Sequence, residues 1–143
     1  MLLKVSLNQI ELDPESFHIL IETEINSTKA YLVIDTGASK SVFTTGLDAS
    51  LYTVQEIEDE SKFESAGIGQ GELTTDNVIL NSMIIGGQTF QNIPAVLIDI
   101  DHINQIYHKH FNMEITGLLG SDFLVKYNAV IDYKSKEILL ELP

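Results

Sequence analysis

The sequence predicts a mostly β protein, a closed or sandwich-like β-barrel with one or two short helices. Its apolar residues fall in short alternating or β-branched runs, and turn residues separate these runs. Gly86-Gly87 joins two of the runs and is a strong signal for a β-hairpin. Residues 99–111 break this pattern with apolar side chains at helical spacing, and Ser121-Asp122 can cap a second short helix over residues 123–127.

Eight segments are predicted to be strands, because each combines β-forming residues with turn signals at its ends. They are residues 2–12, 17–25, 29–34, 42–44, 78–85, 88–98, 129–133 and 137–142. Pro94 cannot donate a backbone hydrogen bond, so an edge position or a bulge is expected there. A short helix is also predicted within residues 48–56.

The composition indicates one folded domain that spans residues 1–143. An apolar content of 44% argues against disorder, and no stretch reaches the roughly 18 apolar residues that cross a membrane. A net charge of -13 argues against a nucleic-acid partner, since phosphates require Lys and Arg. The absence of cysteine excludes disulfides and thiol catalysis. The N-terminus lacks the features of a signal peptide, so a cytoplasmic protein is expected.

The most informative stretch is Tyr31-Leu-Val-Ile-Asp35-Thr-Gly-Ala-Ser39. It places a carboxylate at the end of an apolar strand, where the surrounding chain orders it and partly shields it from water. Gly37 is expected to permit a tight turn that a bulkier residue resists. The triplet alone is weak evidence of function, because Asp and Gly are ordinary turn residues. Its position after a buried strand makes it a candidate catalytic loop.

Together with two later features, this loop makes the chain resemble the retropepsin-like aspartic peptidases, the single-domain, homodimeric relatives of pepsin. Asp35-Thr36-Gly37-Ala38-Ser39 is similar to the catalytic loop of that family. Leu118-Leu119-Gly120 resembles the element that packs behind the loop. Asp122 follows this element and is expected to cap a helix or to bond nearby backbone. The resemblance implies the closed β-barrel of the acid proteases.

The other of these features, the glycine-rich segment of residues 67–71, resembles a flap, the hairpin that folds over bound substrate in this family. Its predicted substrate-binding residues are Gly67, Ile68, Gly69 and Gly71. Alternating glycines suit a mobile hairpin tip, and Ile68 is the candidate for an apolar contact with substrate. An ordinary glycine-rich connection is the alternative interpretation of the segment.

The resemblance implies an aspartic endopeptidase that uses neither a metal nor another cofactor. Because one chain supplies a single Asp35, the second carboxylate would come from another copy, so a homodimer that acts on a peptide or protein is expected. Thr36 would then bond the loop of the partner, and Ala38, which lacks a hydroxyl, implies an optimum between mildly acidic and near-neutral pH. Either Lys136 to Pro143 or the N-terminal strand is expected to form the interface.

Two other features imitate functional sites. The run Ala129-Val-Ile-Asp132 echoes the residues that lead to Asp35, but no glycine follows, so a structural role is favoured. His102, His108 and His110 suggest a metal site, yet on a helix they face different directions, which favours surface histidines.

Two functions compete with the peptidase hypothesis. A non-catalytic peptide-binding or assembly module on the same fold has no need of an intact Asp-Thr-Gly. A plain β-barrel scaffold with a chance Asp-Thr-Gly does not explain the run Leu118-Leu-Gly-Ser-Asp-Phe-Leu further along the chain. Replacement of Asp35 separates the peptidase from both, because only the peptidase would lose a turnover activity.

Overall fold

The computed structural model describes residues 1–55 and 76–143, and within these ranges it contains ten strands and two α-helices. The strands are β1 (Leu2–Asp13), β2 (Ser16–Ile25), β3 (Thr28–Ile34), β4 (Val42–Thr44), β5 (Tyr52–Gln55), β6 (Asp76–Ile85), β7 (Gln88–Ile98), β8 (Ile115–Leu119), β9 (Val130–Asp132) and β10 (Glu137–Glu141). The helices are α1 (Asp101–Phe111) and α2 (Ser121–Lys126), and one 3-10 turn covers Ala49–Leu51. Neither described helix is long and apolar enough to cross a membrane.

Six strands close into a barrel in the spatial order β2, β3, β8, β4, β7 and β6. The ring closes where Glu24 of β2 pairs with Ile84 of β6. Two neighbouring pairs, β3–β8 and β4–β7, are parallel, and the others are antiparallel. Fully buried side chains such as Ile21, Leu32 and Phe43 fill the interior. The predicted mostly β fold with a closed barrel is therefore confirmed.

The strand order places β8 between β3 and β4, although β3 and β4 are neighbours in the sequence. The connection between β3 and β4 must therefore pass over the end of β8. Gly117 makes the close fit of β8 against β4 possible, because a Cβ there would lie 2.0 Å from the carbonyl oxygen of Val42. The topology thus fixes the position of the loop that carries Asp35.

The two ends of the chain form a small second sheet, which we call the end sheet. It consists of residues 2–6 of β1, residues 137–141 of β10 and residues 130–132 of β9. Its inner face carries buried residues such as Val5 and Ile138, which belong to the barrel core. From Leu7 onward, β1 leaves the end sheet and pairs with β2. The two predicted interface segments therefore pair with each other within one chain.

Helix α1 covers a second, smaller apolar cluster on the outside of the barrel. Its buried Tyr107 hydrogen-bonds through its hydroxyl to Nδ1 of His18 on β2, and burial raises the pKa of Tyr107 to about 12. Asn104 bonds both backbone groups of Ile115, with its amide nitrogen 3.0 Å from the carbonyl oxygen and its amide oxygen 2.7 Å from the backbone nitrogen. Helix α1 is thereby attached to the start of β8.

All eight predicted strands are present, with ends shifted by at most two residues. Two strands, β5 and β8, are absent from the prediction, because both are short and β8 contains a glycine. The helix predicted within residues 48–56 is wrong except for the 3-10 turn, whose first residues are capped by Asp48 through the backbone N–H of Ser50.

The expectation of an edge position at Pro94 is met locally, whereas no bulge is present. Pro94 pairs with Ile79 of β6 in regular register, but β7 pairs with β4 only from Val96 to Ile98, so the other side of Pro94 is an open edge among the described strands. Residues two apart in a strand direct their backbone nitrogens to the same side, and the N–H of Val96 bonds the carbonyl oxygen of Ser41. The backbone nitrogen of Pro94 therefore points toward the side of β7 on which β4 lies. Because β4 pairs only from Val96 onward, no hydrogen bond between strands is lost at Pro94.

Candidate active site

The loop of residues 35–40, which we call the Asp35 loop, begins where β3 ends. The backbone N–H of Asp35 donates to the carbonyl of Leu119 at 2.9 Å, and the carbonyl of Asp35 accepts from Ala38 at 3.2 Å, which closes a tight turn. The Oδ1 atom of Asp35 accepts from the backbone N–H of Gly37 at 3.0 Å. One carboxylate oxygen is thus oriented by the turn that immediately follows it.

Gly37 does not adopt the left-handed conformation that would require glycine. Among the described residues, a Cβ at this position would meet only Oδ1 of Asp35, at an ordinary contact distance of 3.4 Å. The expectation that the turn itself needs glycine is therefore wrong. A side chain at Gly37 would instead project into the space beside the carboxylate of Asp35.

The outer surface of the loop is open in the single chain. Asp35 and Ala38 are half-buried, whereas Thr36, Gly37 and Ser39 are exposed. The hydroxyl of Thr36 has no hydrogen-bond partner in the described part of the chain, so it is available to a group from outside.

The inner side of the loop is fastened to the residues behind it. The N–H of Ser121 donates to the carbonyl of Ala38 at 2.7 Å. A Cβ at Gly120 would lie 2.7 Å from that same carbonyl oxygen and 2.9 Å from the carbonyl of Lys40, so glycine is required for this approach. Leu119 is fully buried and Leu118 is half-buried. The structure thus brings Leu118, Leu119 and Gly120 directly behind the Asp35 loop.

One residue that joins these two regions, Ser41, is not predicted from the sequence. Its side chain is fully buried, and its hydroxyl donates to Oδ1 of Asp122 at 2.8 Å while it accepts from the N–H of Gly120 at 3.0 Å. Asp122 also accepts from the N–H of Phe123 at 2.9 Å, in agreement with the expectation that it bonds nearby backbone. The only sequence signal is a serine at the start of an apolar strand.

Several other predicted features lie apart from this site. The flap residues Gly67, Ile68, Gly69 and Gly71 lie outside the described residues. Asp132 lies in the end sheet, where its carboxylate accepts from Lys134 and Ser135, and it shares no bond with the Asp35 loop. Within residues 1–55 and 76–143, no group of three or more metal-ligating side chains is close enough to hold a metal ion.

Comparison with known proteins identifies relatives of this arrangement. The model of a family described as aspartyl protease matches residues 21–123, which include Asp35 and Asp122. Over 109 residues, the chain is 29% identical to the retrovirus-related Pol polyprotein from transposon 412 of Drosophila melanogaster. That match covers 76% of the chain but only 8% of the polyprotein, so the chain corresponds to a small part of that relative.

Two solved structures share the fold at low sequence identity. A retropepsin-like aspartic protease from Rickettsia conorii has a TM-score of 0.54 and 22% identity, with 98% of this chain and 89% of that chain covered. The retroviral protease-like domain of Ddi1 from Leishmania major has a TM-score of 0.50 and 16% identity, with 87% and 93% covered. The family match spans both the Asp35 loop and the residues behind it, and the chain therefore belongs to the retropepsin-like aspartyl protease family.

Proposed function

We propose that the chain is an aspartic endopeptidase whose active site forms when two copies bring their Asp35 carboxylates together. The observation that carries this proposal is the contrast between the two sides of the Asp35 loop. Its inner side is bonded to Leu119 and Ser121, while Thr36 and Gly37 are exposed on its outer side. A loop whose inner side is bonded to the barrel and whose outer side is exposed is suited to receive a second loop and a substrate.

The reaction follows from two carboxylates held roughly 3 Å apart, which share one proton because two like charges at that distance cannot both ionise. The ionised carboxylate takes a proton from a water molecule as its oxygen attacks the scissile carbonyl carbon. The protonated carboxylate donates to the carbonyl oxygen, which gains negative charge. As the C–N bond breaks, one hydroxyl of the tetrahedral intermediate returns its proton to the ionised carboxylate and becomes the new carbonyl oxygen, while the protonated carboxyl gives its proton to the leaving nitrogen. The N–H of Gly37 holds Asp35 in orientation for these transfers.

The end sheet supports the proposal of a homodimer. Its exposed apolar residues include Leu2 at 58% and Val130 at 53% exposure, and two neighbouring residues are also exposed, Tyr133 just after β9 at 62% and Val125 of α2 at 73%. A second copy that covers these residues would bury apolar area and so stabilise a dimer.

Charge sets a condition on this dimer. Each chain carries a net charge of -13, so two copies repel each other. We therefore expect the dimer to tighten when salt is added or when the pH is lowered. A dimer that dissociates as salt increases would contradict this expectation.

The test is cleavage of an unstructured protein between about pH 3 and about pH 8, with the wild type beside Asp35→Asn. We expect cleavage by the wild type only, with an optimum between mildly acidic and near-neutral pH, because Ala38 offers no hydroxyl to stabilise the ionised carboxylate. The rate should rise faster than linearly with enzyme concentration while the dimer is forming. Folded, dimeric protein that cleaves nothing across this range would favour a peptide-binding or assembly module instead.

A further inference from the structure

We propose that the buried Ser41 and the half-buried Asp122 form a hydrogen-bonded brace that positions the Asp35 carboxylate for catalysis. The catalytic part of this inference rests on the proposed peptidase function. Neither side chain is assigned a chemical step, so both are positioning residues. Their contribution is to fix the loop that carries Asp35 relative to residues 119–122.

The brace is a continuous set of hydrogen bonds. Ser41 donates its hydroxyl to Oδ1 of Asp122 at 2.8 Å and its backbone N–H to Oδ2 at 3.1 Å. The hydroxyl also accepts from the N–H of Gly120 at 3.0 Å, and the carbonyl of Ser41 accepts from Val96 at 2.9 Å. Phe123 gives Asp122 a third donor at 2.9 Å. Every polar group of Ser41 is therefore used, and its bonds reach two other parts of the chain, Val96 and residues 120–122.

Burial shows that the brace is an unusual feature of this molecule. In the described ranges, Ser41 and Thr23 are the only buried polar side chains besides Tyr107 with its hydroxyl. A buried hydroxyl is costly unless it is fully bonded, and an apolar residue would fill the same space at lower risk. Thr23 makes a single bond to the carbonyl of Ala30 within one hairpin. Ser41 instead bonds Asp122, which lies 81 residues further along the chain.

The position of the brace explains why it would affect Asp35. Between described residues, two backbone hydrogen bonds also attach the Asp35 loop, Asp35 to Leu119 and Ala38 to Ser121, and both reach the same short segment. Ser41 directly follows the loop, and its hydrogen bonds to Gly120 and Asp122 attach this end of the loop to that segment. Loss of the side-chain bonds would loosen the loop at this end, where the bond from Val96 to the carbonyl of Ser41 remains, and the carboxylate of Asp35 would then occupy a wider range of positions.

Kinetics of three variants test the catalytic consequence. Ser41→Ala and Asp122→Ala should lower kcat by about ten- to a hundredfold and leave KM within about threefold, since small misplacement of a reacting group has effects of this size. Asp122→Asn keeps one acceptor oxygen but loses the bond to the N–H of Ser41, so its kcat should fall between these variants and the wild type. Thr23→Val is the matched control, and its kcat should change by less than about twofold.

Amide hydrogen exchange tests the brace without any need for activity. In Ser41→Ala and Asp122→Ala, the N–H groups of Asp35 and Ser121 should exchange faster relative to core amides than in the wild type, whereas Thr23→Val should leave that ratio unchanged. Unchanged loop exchange in both variants would overturn the brace. Faster loop exchange with unchanged kcat would overturn its catalytic role. A wild type without cleavage would refute the peptidase proposal, and the exchange experiment would still decide whether the brace exists.

Discussion

Two aspartates in this chain follow the same pair of apolar residues and enter the same kind of local turn. Asp35 follows Val33-Ile34, and Asp132 follows Val130-Ile131. In both turns, Oδ1 accepts from the backbone N–H two residues later, at 3.0 Å from Gly37 and at 2.9 Å from Lys134. Over this short distance the two regions are alike, so local sequence alone does not separate them.

The difference lies in what holds each turn from behind. The turn of Asp132 is complete within the β9–β10 hairpin, where Lys134 and Ser135 supply its bonds, and it is exposed. The loop of Asp35 is attached to Leu119 and Ser121, which arrive from a distant part of the chain. An exposed local turn moves with its hairpin, whereas a loop attached to the barrel keeps its orientation. Catalysis requires the second kind of support.

Replacement of each aspartate gives the largest expected contrast. Asp35→Asn should lower kcat/KM at least about a thousandfold, because the amide can neither take a proton from water nor share one with its partner. Asp132→Asn should retain activity within about twofold at enzyme concentrations that saturate the dimer. Both rates are measured on one unstructured protein substrate, with circular dichroism to verify that each variant is folded. Equal losses in the two variants would remove the functional distinction between the turns.

Substitution of two glycines, Gly37 on the outer side of the Asp35 loop and Gly120 behind its inner side, tests whether the two sides differ. Gly37→Ala should change the free energy of unfolding by less than about 1 kcal/mol, since its Cβ meets only Oδ1 of Asp35 at 3.4 Å in the described structure. Cleavage should nevertheless fall about a hundredfold, because the methyl group occupies space beside the carboxylate. Denaturant unfolding and single-substrate kinetics on the same preparation measure both effects.

The opposite result is expected for Gly120→Ala. Its Cβ would lie 2.7 Å from the carbonyl oxygen of Ala38, which is backbone and has little freedom to move. We expect a loss of about 3 kcal/mol in the free energy of unfolding, comparable to severe overpacking of a core. If Gly37→Ala destabilised the chain as strongly as Gly120→Ala, then the outer side would be packed within the chain and not open to a partner.

These results show which parts of the site the sequence could predict. Val33 and Ile34 as a buried strand, Asp35 at its end and Leu118-Leu119-Gly120 behind it all follow from local pattern and family resemblance. The insertion of β8 between β3 and β4 does not, because strand order depends on long-range pairing. Ser41 was missed for the same reason. A serine that follows Lys40 suggests an exposed turn, and nothing in the local sequence shows that Asp122 bonds it.

Two valines of equal exposure sharpen the comparison at the level of the dimer. Val130 in the end sheet and Val54 in β5 are each 53% exposed. Val130→Asp adds a charge to the surface proposed for the second copy, and it should weaken the dimer about ten- to a hundredfold. Val54→Asp adds the same charge on a strand outside the end sheet and should leave the dissociation constant within about twofold.

Sedimentation equilibrium of both variants and the wild type measures the dissociation constants directly. If Val54→Asp weakens the dimer and Val130→Asp does not, the second copy binds elsewhere on the molecule. If neither variant changes the constant, the end sheet does not form the interface. Activity plotted against concentration should shift in parallel with the dissociation constant for Val130→Asp, since the proposed site needs two copies of Asp35.

The smallest expected effect concerns the acid stability of the Asp132 turn. Hydrogen bonds from Ser135 and Lys134 hold the pKa of Asp132 below its ordinary value of 3.8. A carboxylate whose folded pKa is depressed stabilises the fold above its unfolded pKa, and the contribution disappears as pH falls through the folded pKa. The unfolding free energies of wild type and Asp132→Asn should therefore differ near neutral pH and converge below about pH 4.

Ser135→Ala gives a graded test of this convergence. It removes the hydroxyl of Ser135, which helps to lower the pKa of Asp132, and leaves the backbone N–H groups of Ser135 and Lys134 in place. Its unfolding free energy near neutral pH should thus lie between those of the wild type and Asp132→Asn, as urea unfolding across the acid range can measure. A difference between wild type and Asp132→Asn that stayed constant down to strong acid would show that the side chain stabilises the hairpin by packing. The charge of Asp132 would then contribute nothing to the stability of the turn, and the two aspartates would resemble each other only in backbone geometry.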